Sequence, residues 1–228
     1  MHQTTAYGRE RTPTNMRIRR PWARRTAVTT VSAAALVALA IPAEAATTTA
    51  STASTSTTAT AAAEDVDYAT WQTDCQAVMN QALPYLKTRI AAPRPGEKQA
   101  VVLDIDNTAL ETDFGFSYPQ PANKPVLEVA KYAQQHGVSL FFVTARPGII
   151  ASVTDYNLKH VGYQVGGLYV RGFVDLFKDV AAYKTAQRVD IENKGYTIIA
   201  NIGNSATDLS GGHAEKTFKL PDYDGQLS

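Results

Sequence analysis

The feature that most constrains the fold is a rhythm. Four short runs, AVVLDID, SLFFVTA, GGLYVRGF and YTIIANIG, rich in β-branched and aromatic residues, are separated by stretches with helical spacing. Such runs, apolar on both faces, suit strands of a parallel sheet buried between helices. Pro125 opens and Gly137 closes one intervening helix, which carries Val126, Leu127, Val129, Ala130 and Ala133. Pro147 to Val161 reads as a second helix, and Leu176 to Asn193, stopped by Gly195, as a third. Strand, helix, strand in this order predicts right-handed crossovers and an α/β, Rossmann-like fold, a mostly parallel sheet with helices on both faces. In such sheets ligands sit beyond the carboxyl ends of the strands. There is no internal repeat.

Ahead of the first strand, Val66, Trp71, Cys75, Val78, Met79, Leu83 and Leu86 recur at three- and four-residue steps and predict a helical lead-in between Asp65 and Ile90, kinked or divided at Pro84. Pro93, Arg94, Pro95 and Gly96 end it. Further upstream, Met16 to Ala45 has a basic head, an apolar run from Ala27 to Ile41 and the small-residue pattern Ala43, Glu44, Ala45. This is the layout of an export signal, with Met16 a second candidate start. The apolar run is shorter than the roughly 20 residues that span a bilayer, so cleavage, with no stable membrane anchor afterwards, is expected. Arg19-Arg20 and Arg24-Arg25 leave the Sec and twin-arginine routes both open. Residues 46–63 contain only Ala, Ser and Thr and read as a disordered tether. The organisation expected is therefore a signal over 1–45, a linker over 46–63 and a folded domain over 64–228.

Removing residues 1–45 takes away seven arginines and two glutamates and leaves 15 basic against 19 acidic side chains. A mildly acidic domain without basic runs gives little electrostatic reason to bind nucleic acid. Cys75 is the only cysteine, so no internal disulfide is possible.

The chemistry collects at strand ends. Asp104 and Asp106 close the first strand two residues apart, so both can project into one crevice, and two anions there call for a cation. Asp-Asn-Thr is also good turn chemistry, the plainer reading of the same residues. Thr144, Ala145 and Arg146 end the second strand and offer a hydroxyl, backbone amides and a guanidinium to a phosphate oxygen, although strands often end in threonine. Lys184 lies on the third intervening helix, where it either balances negative charge or is an ordinary surface lysine. Asn204 and Asp208, in GNSATDL after the fourth strand, bear oxygen ligands suited to a hard ion such as Mg²⁺, or serve as a helix cap.

DIDNT, the threonine after the second strand, YKTAQR and GNSATD, in this order, resemble the four successive motifs of the haloacid dehalogenase superfamily. Within it, the helical lead-in, YK followed by Arg188, and the ending KTFKLP are similar to the acid phosphatase branch that includes class B enzymes and plant vegetative storage proteins. The resemblance implies a magnesium-dependent phosphomonoesterase in which Asp104 is the nucleophile and Asp106 the acid and base. It also implies that Thr144 and Lys184 hold the phosphoryl group and that Asp104, Asp106, Asn204 and Asp208 hold the metal. Members that cleave carbon-halogen bonds lack a carboxylate at the second position, so Asp106 points to phosphoryl transfer.

One residue departs from the branch. Where its members carry GDxxxD this chain has Gly203, Asn204 and Asp208, which removes a full charge of attraction for the ion and predicts weaker magnesium binding. The dozen or so residues after the first motif are too few for a separate cap domain, so an open site is expected. Phe114, Phe116 and Tyr118 in that loop are candidates for an aromatic rim taking nucleotides or aryl phosphates, or for anchors of the loop itself. The lead-in is expected to cover part of the entrance. The function expected is a secreted, extracellular phosphatase of small phosphomonoesters, the alternative a storage or phosphate-binding protein on the same scaffold; the oligomeric state stays open.

Overall fold

The computed structural model describes residues 66–115 and 117–227. The expected signal and linker lie outside them. Five parallel strands form one sheet in the order β3-β2-β1-β4-β5: β1 is Lys98–Leu103, β2 Ser139–Pro147, β3 Gly167–Arg171, β4 Tyr196–Gly203 and β5 Thr217–Lys219. The helices are α1 (Tyr68–Ala91), α2 (Lys124–Gln135), α3 (Ala151–His160), α4 (Val180–Asn193) and the single turn α5 (Ala206–Leu209). The α/β reading thus holds, with β5, in the KTFKLP segment, a fifth strand that periodicity does not announce in three residues.

Alternation along the strands sorts the core into two faces. Val101 and Leu103 of β1 and Leu140 and Phe142 of β2 pack with Trp71, Cys75, Met79 and Leu86 of α1 and Val126 and Val129 of α2. Ala100, Val102, Phe141 and Val143 face the other way, with Ile198 of β4 and Ile191 of α4. Asp104 continues the even-numbered side of β1, the side that α4 covers. The sheet order changes direction beside β1, so the segments that leave β1 and β4 diverge and open a crevice at a topological switch point.

Three boundaries differ from the sequence reading. Pro84 does not divide the lead-in, because α1 runs unbroken past it. Proline removes the donor for the carbonyl of Asn80, four residues earlier, but Asn80 is exposed and water can serve that oxygen, while Met79, Ala82, Leu86 and Ile90 hold both halves on the core. The second intervening helix begins only at Ala151, since β2 continues to Pro147 and a 3-10 turn follows. The third begins at Val180: Val174–Phe177 is a separate 3-10 turn ended by extended Lys178, Arg171 holds it by donating to the carbonyls of Asp175 (2.5 Å) and Lys178 (2.6 Å), and Asp179 caps the new start through Ala182 N. Nor does α1 cover the entrance. It braces the loop after β1 from behind, Tyr68 and Gln72 donating to Glu111.

A charged knot ties the far end of α1 to the sheet. Arg89 grips both oxygens of Glu97 (2.5 and 3.0 Å) and reaches Glu215 before β5 (2.6 Å). The guanidinium of Arg89, opposed by desolvation, holds Glu97 down at about 2. An unfolded glutamate titrates near 4.3, so this pair's contribution is fully present above that pH and is lost as pH falls toward 2. Glu97→Gln is expected to lower unfolding free energy by about 1 kcal/mol at pH 7. In urea titrations across pH the gap to wild type should close by about pH 2, and a gap constant with pH would contradict the assignment.

Candidate active site

Leaving β1, the chain keeps its pairing with β4 for one more residue, Asp104 N donating to Ile202 O (3.0 Å), and then turns sharply. Asn107 makes the turn in the left-handed region (φ 50), which asparagine tolerates better than most residues. Its side chain fastens the turn, accepting from Asp113 N (3.1 Å) and donating to Asp113 Oδ2 (2.7 Å) and to Leu227 O (3.1 Å). Asp104 is thereby held at the strand tip, 6% exposed, and Asp106 beyond it is more open.

Across the switch point, Lys184 of α4 sends its Nζ between two carboxylates, 2.6 Å from Asp104 Oδ1 and 2.5 Å from Asp208 Oδ1. The surface reading of Lys184 is therefore wrong: it is 4% exposed. Burial works against its charge, but Asp104 and Asp208 outweigh that and raise its pKa above the usual value. Burial also raises the carboxyl of Asp104, with Lys184 opposing and Asp208 adding to the shift.

Asp208 is placed with equal care. It closes a capping box with Ser205, its Oδ2 accepting from Ser205 N (2.7 Å). Its carbonyl accepts from Asn201 Nδ2 (2.9 Å) and from the fully buried Arg188 (2.7 Å), whose guanidinium also takes Gly212 O (2.9 Å) and Ser210 O. Gly203 leaves room for this fold-back, since a Cβ there would lie 2.4 Å from Asp208 Cβ.

Asp106 lives in a different environment two residues away. Arg146 Nε lies 3.1 Å from both its oxygens and Nη2 2.8 Å from Oδ1, while Thr112 donates at 2.9 Å. Desolvation pushes the Asp106 carboxyl up, but the hydrogen bonds and charge of Arg146 win and hold it below the ordinary range. Arg146, expected at the phosphate, is thus committed to Asp106. Thr144 is fully buried and its Oγ1 accepts from Arg146 N (3.2 Å), which leaves the hydroxyl proton free to donate.

Asp104, Asp106, Lys184, Asn204 and Asp208 line one cleft of about 320 Å³, together with Ala145 and Leu227. A second cleft of about 520 Å³ adjoins it at Asp106, with Tyr118, Gln120, Arg146, Ile150 and Val153 on its walls. Tyr118, 60% exposed, stacks near Tyr156 (6.4 Å between centroids) and belongs to this rim. Phe114 does not: it stacks on Trp71 at 4.3 Å and edges Tyr68 at 5.4 Å, anchoring the loop to α1 instead of lining the cleft. Phe116 lies outside the described residues.

Asn204 is 2% exposed, and both polar atoms of its side chain are engaged. Its Oδ1 accepts from Thr108 Oγ1 (3.2 Å), its backbone N donates to the same hydroxyl (3.1 Å), and its Nδ2 donates to Leu227 O. Sequence reasoning missed Asn201 and Leu227 in this region; it marked Asn107 and Thr108 only as turn chemistry within DIDNT, and Arg188 only through the YK pattern that precedes it.

Residues 23–120 and 117–226 match the HAD superfamily, subfamily IIIB (Acid phosphatase). The chain belongs to this family. Among curated proteins, this acid phosphatase family member is 36% identical to a stem 28 kDa glycoprotein of Glycine max over 89 residues, 37% of the chain and 35% of that protein. It is 31% identical to acid phosphatase 1 of Solanum lycopersicum over 103 residues, 44% of the chain and 40% of that protein. The aligned stretches span well under half the length of these relatives. Among solved structures, the class C acid phosphatase from Bacillus anthracis superposes with a TM-score of 0.54 at 17% identity, over 69% of this chain and 80% of that one, and shares the fold.

The cation between Asp104 and Asp208 generates the first test of this HAD-family site. Removing it leaves two carboxylates buried and facing each other, the costly way to break a buried ion pair. Lys184→Met is expected to lose at least about 3 kcal/mol in urea unfolding at pH 7 without divalent cations. A variant as stable as wild type would show that Lys184 does not carry that charge balance.

Proposed function

We propose that this chain is an exported, magnesium-dependent phosphomonoesterase that works through an aspartyl phosphate formed on Asp104. The observation that carries the reading is Asp104 at the strand tip, sharing the ammonium of Lys184 with Asp208 across the switch point. Asp104, Asp106 and Asp208 outnumber Lys184 and Arg146, so the pocket holds a net charge of about −1 before an anionic substrate arrives. That imbalance favours a divalent cation. The oxygens to hold it are Asp104 Oδ2 and the Asp106 carbonyl, to which no described residue donates, together with Asp208 and the second lone pair of Asn204 Oδ1. When bound, Mg²⁺ supplies positive charge against the phosphoryl oxygens and the nucleophile.

The chain's own groups account for the remaining steps. A carboxylate oxygen of Asp104 attacks phosphorus, the bond from phosphorus to the ester oxygen breaks in line, and Asp106 passes that oxygen a proton, releasing the alcohol. Asp106, again a carboxylate, then takes a proton from water. The resulting hydroxide attacks phosphorus, the bond to Asp104 breaks, and orthophosphate leaves. Lys184 and the Thr144 hydroxyl hold the non-reacting oxygens. Because Arg146 keeps Asp106 ionised in the free protein, the first proton arrives with the substrate, as it does when a phosphomonoester binds as its monoanion.

The second cleft, beyond Asp106 and rimmed by Tyr118, supports small organic phosphates, aryl or nucleoside esters among them, as the substrate class. Export rests on the layout of residues 16–45, and no described helix is long and apolar enough to cross a membrane.

Hydrolysis of p-nitrophenyl phosphate tests the proposal. The protein with Mg²⁺ should turn it over, EDTA should remove most of the activity, and Asp104→Asn should lower kcat at least about a thousandfold. Activity surviving that substitution would remove Asp104 from its role, and an intact protein inactive across metals and pH would favour phosphate binding or storage. Asn204→Asp adds a second check. It replaces the donor to Leu227 O by a repelled carboxylate, so in EDTA the variant should be about 1 to 3 kcal/mol less stable than wild type. The added charge should tighten the ion, and millimolar Mg²⁺ should narrow that gap in thermal unfolding; a gap indifferent to Mg²⁺ would remove position 204 from the ion's surroundings.

A further inference from the structure

Asp106 is aimed by a chain of side chains that begins more than one element away. Asn157 of α3 is 1% exposed and spends its whole amide on the backbone of a residue 37 positions earlier: its Oδ1 accepts from Gln120 N (2.7 Å) and its Nδ2 donates to Gln120 O (2.8 Å). This pins the loop after β1 to α3 at one residue. The side chain of Gln120 then turns inward, where Oε1 accepts from Arg146 Nη2 (2.8 Å). Thr154, one helical turn before Asn157, accepts from Arg146 Nη1 (3.3 Å). Between them they fix the plane of the guanidinium, and that plane presents Nε and Nη2 to Asp106. A planar fork held on one edge by two acceptors cannot rotate away from the carboxylate on the other.

Gln120 is not needed to hold the loop, because Asn157 does so through the backbone alone. What its side chain adds is the orientation of Arg146. We propose that Gln120 and Asn157 are positioning residues that act through Arg146 to hold Asp106 in line with the ester oxygen of the substrate. This inference rests on the phosphatase reading above, in which Asp106 is the proton donor. It assigns the proton-transfer geometry to α3 and the loop, separately from Asp104, Lys184 and Asp208, which keep their own contacts whatever Gln120 does.

The test uses two esters that differ in their need for the proton. Ethyl phosphate expels an alkoxide that must be protonated as it leaves, whereas p-nitrophenyl phosphate expels a stabilised phenolate. The quantity measured is kcat/KM, which reports the steps up to cleavage of the ester, for wild type, Gln120→Leu and Asn157→Asp. Full general acid catalysis is worth about 10² to 10⁴. Loss of aim in Gln120→Leu is expected to lower kcat/KM about tenfold for ethyl phosphate and less than about twofold for p-nitrophenyl phosphate. Asn157→Asp, which keeps the acceptor for Gln120 N and loses the donor to Gln120 O, should show the same selectivity in smaller measure. Both esters are assayed on one preparation, so the ratio is independent of the fraction of protein folded. Equal losses on the two esters, or no loss on either, would overturn the positioning role while leaving the phosphatase reading intact. A wild-type protein inactive on both would overturn that reading and this inference with it.

Discussion

The site depends on one buried ammonium. Lys184 joins the tip of β1 to the segment after β4 at the place where the sheet order reverses, one step beyond the last backbone bond between the two strands, Asp104 N to Ile202 O. Its position follows from local rules: Asp179 stops the preceding turn and starts α4, Arg171 holds that turn out of the helix, and one turn into α4 the lysine faces the even-numbered side of β1. Its second partner is placed by glycine at 203, by the Ser205 capping box and by Arg188 beneath. Each of these has a plain structural task, and together they fix the ammonium that Asp104 and Asp208 share.

Two aspartates separated by one residue end up with opposite electrostatic character. Asp104 is enclosed and pushed upward by burial, while Asp106 stands at the edge of the open cleft and is held down by a guanidinium. Divergent environments of this kind support the division into nucleophile and acid/base proposed above. The division originates in the turn at Asn107, which keeps Asp104 on the strand and swings Asp106 toward β2 and Arg146.

How much of this the sequence disclosed follows from the range of each interaction. The sheet and its helices were legible because burial on two faces writes a periodic pattern, and Asp104, Lys184 and Asp208 were legible because strand tips and the order of motifs locate them. Gln120, Asn157, Thr108 and Leu227 were not, since their roles are hydrogen bonds across 37 to 120 residues, and neither a lone polar side chain nor a backbone carbonyl writes a period. Phe114 illustrates the limit from the other side. Its sequence leaves open a ligand platform and an anchor of the loop, and only the fold, by setting Trp71 of α1 against it, decides for the anchor. Pro84 misled for a similar reason: its cost falls on a carbonyl whose exposure only the fold decides.

Asn204 shows why a departure from a family pattern is better read through its contacts than through its charge. Counted as a ligand, it is an aspartate that has lost its charge. In place, its Nδ2 and that of Asn107 converge on the carbonyl of Leu227, whose side chain is buried in the main core and lines the cleft. An amide both accepts from Thr108 and donates to that carbonyl, whereas an ionised carboxylate can only accept. On the magnesium reading proposed above, a carboxylate gains a Coulombic partner in the ion and loses the tie to Leu227 O, so the residue at 204 exchanges metal attraction for that hydrogen bond. The substitution therefore redistributes electrostatic strength within the site, and its effect on chemistry is set by the balance of those two contributions.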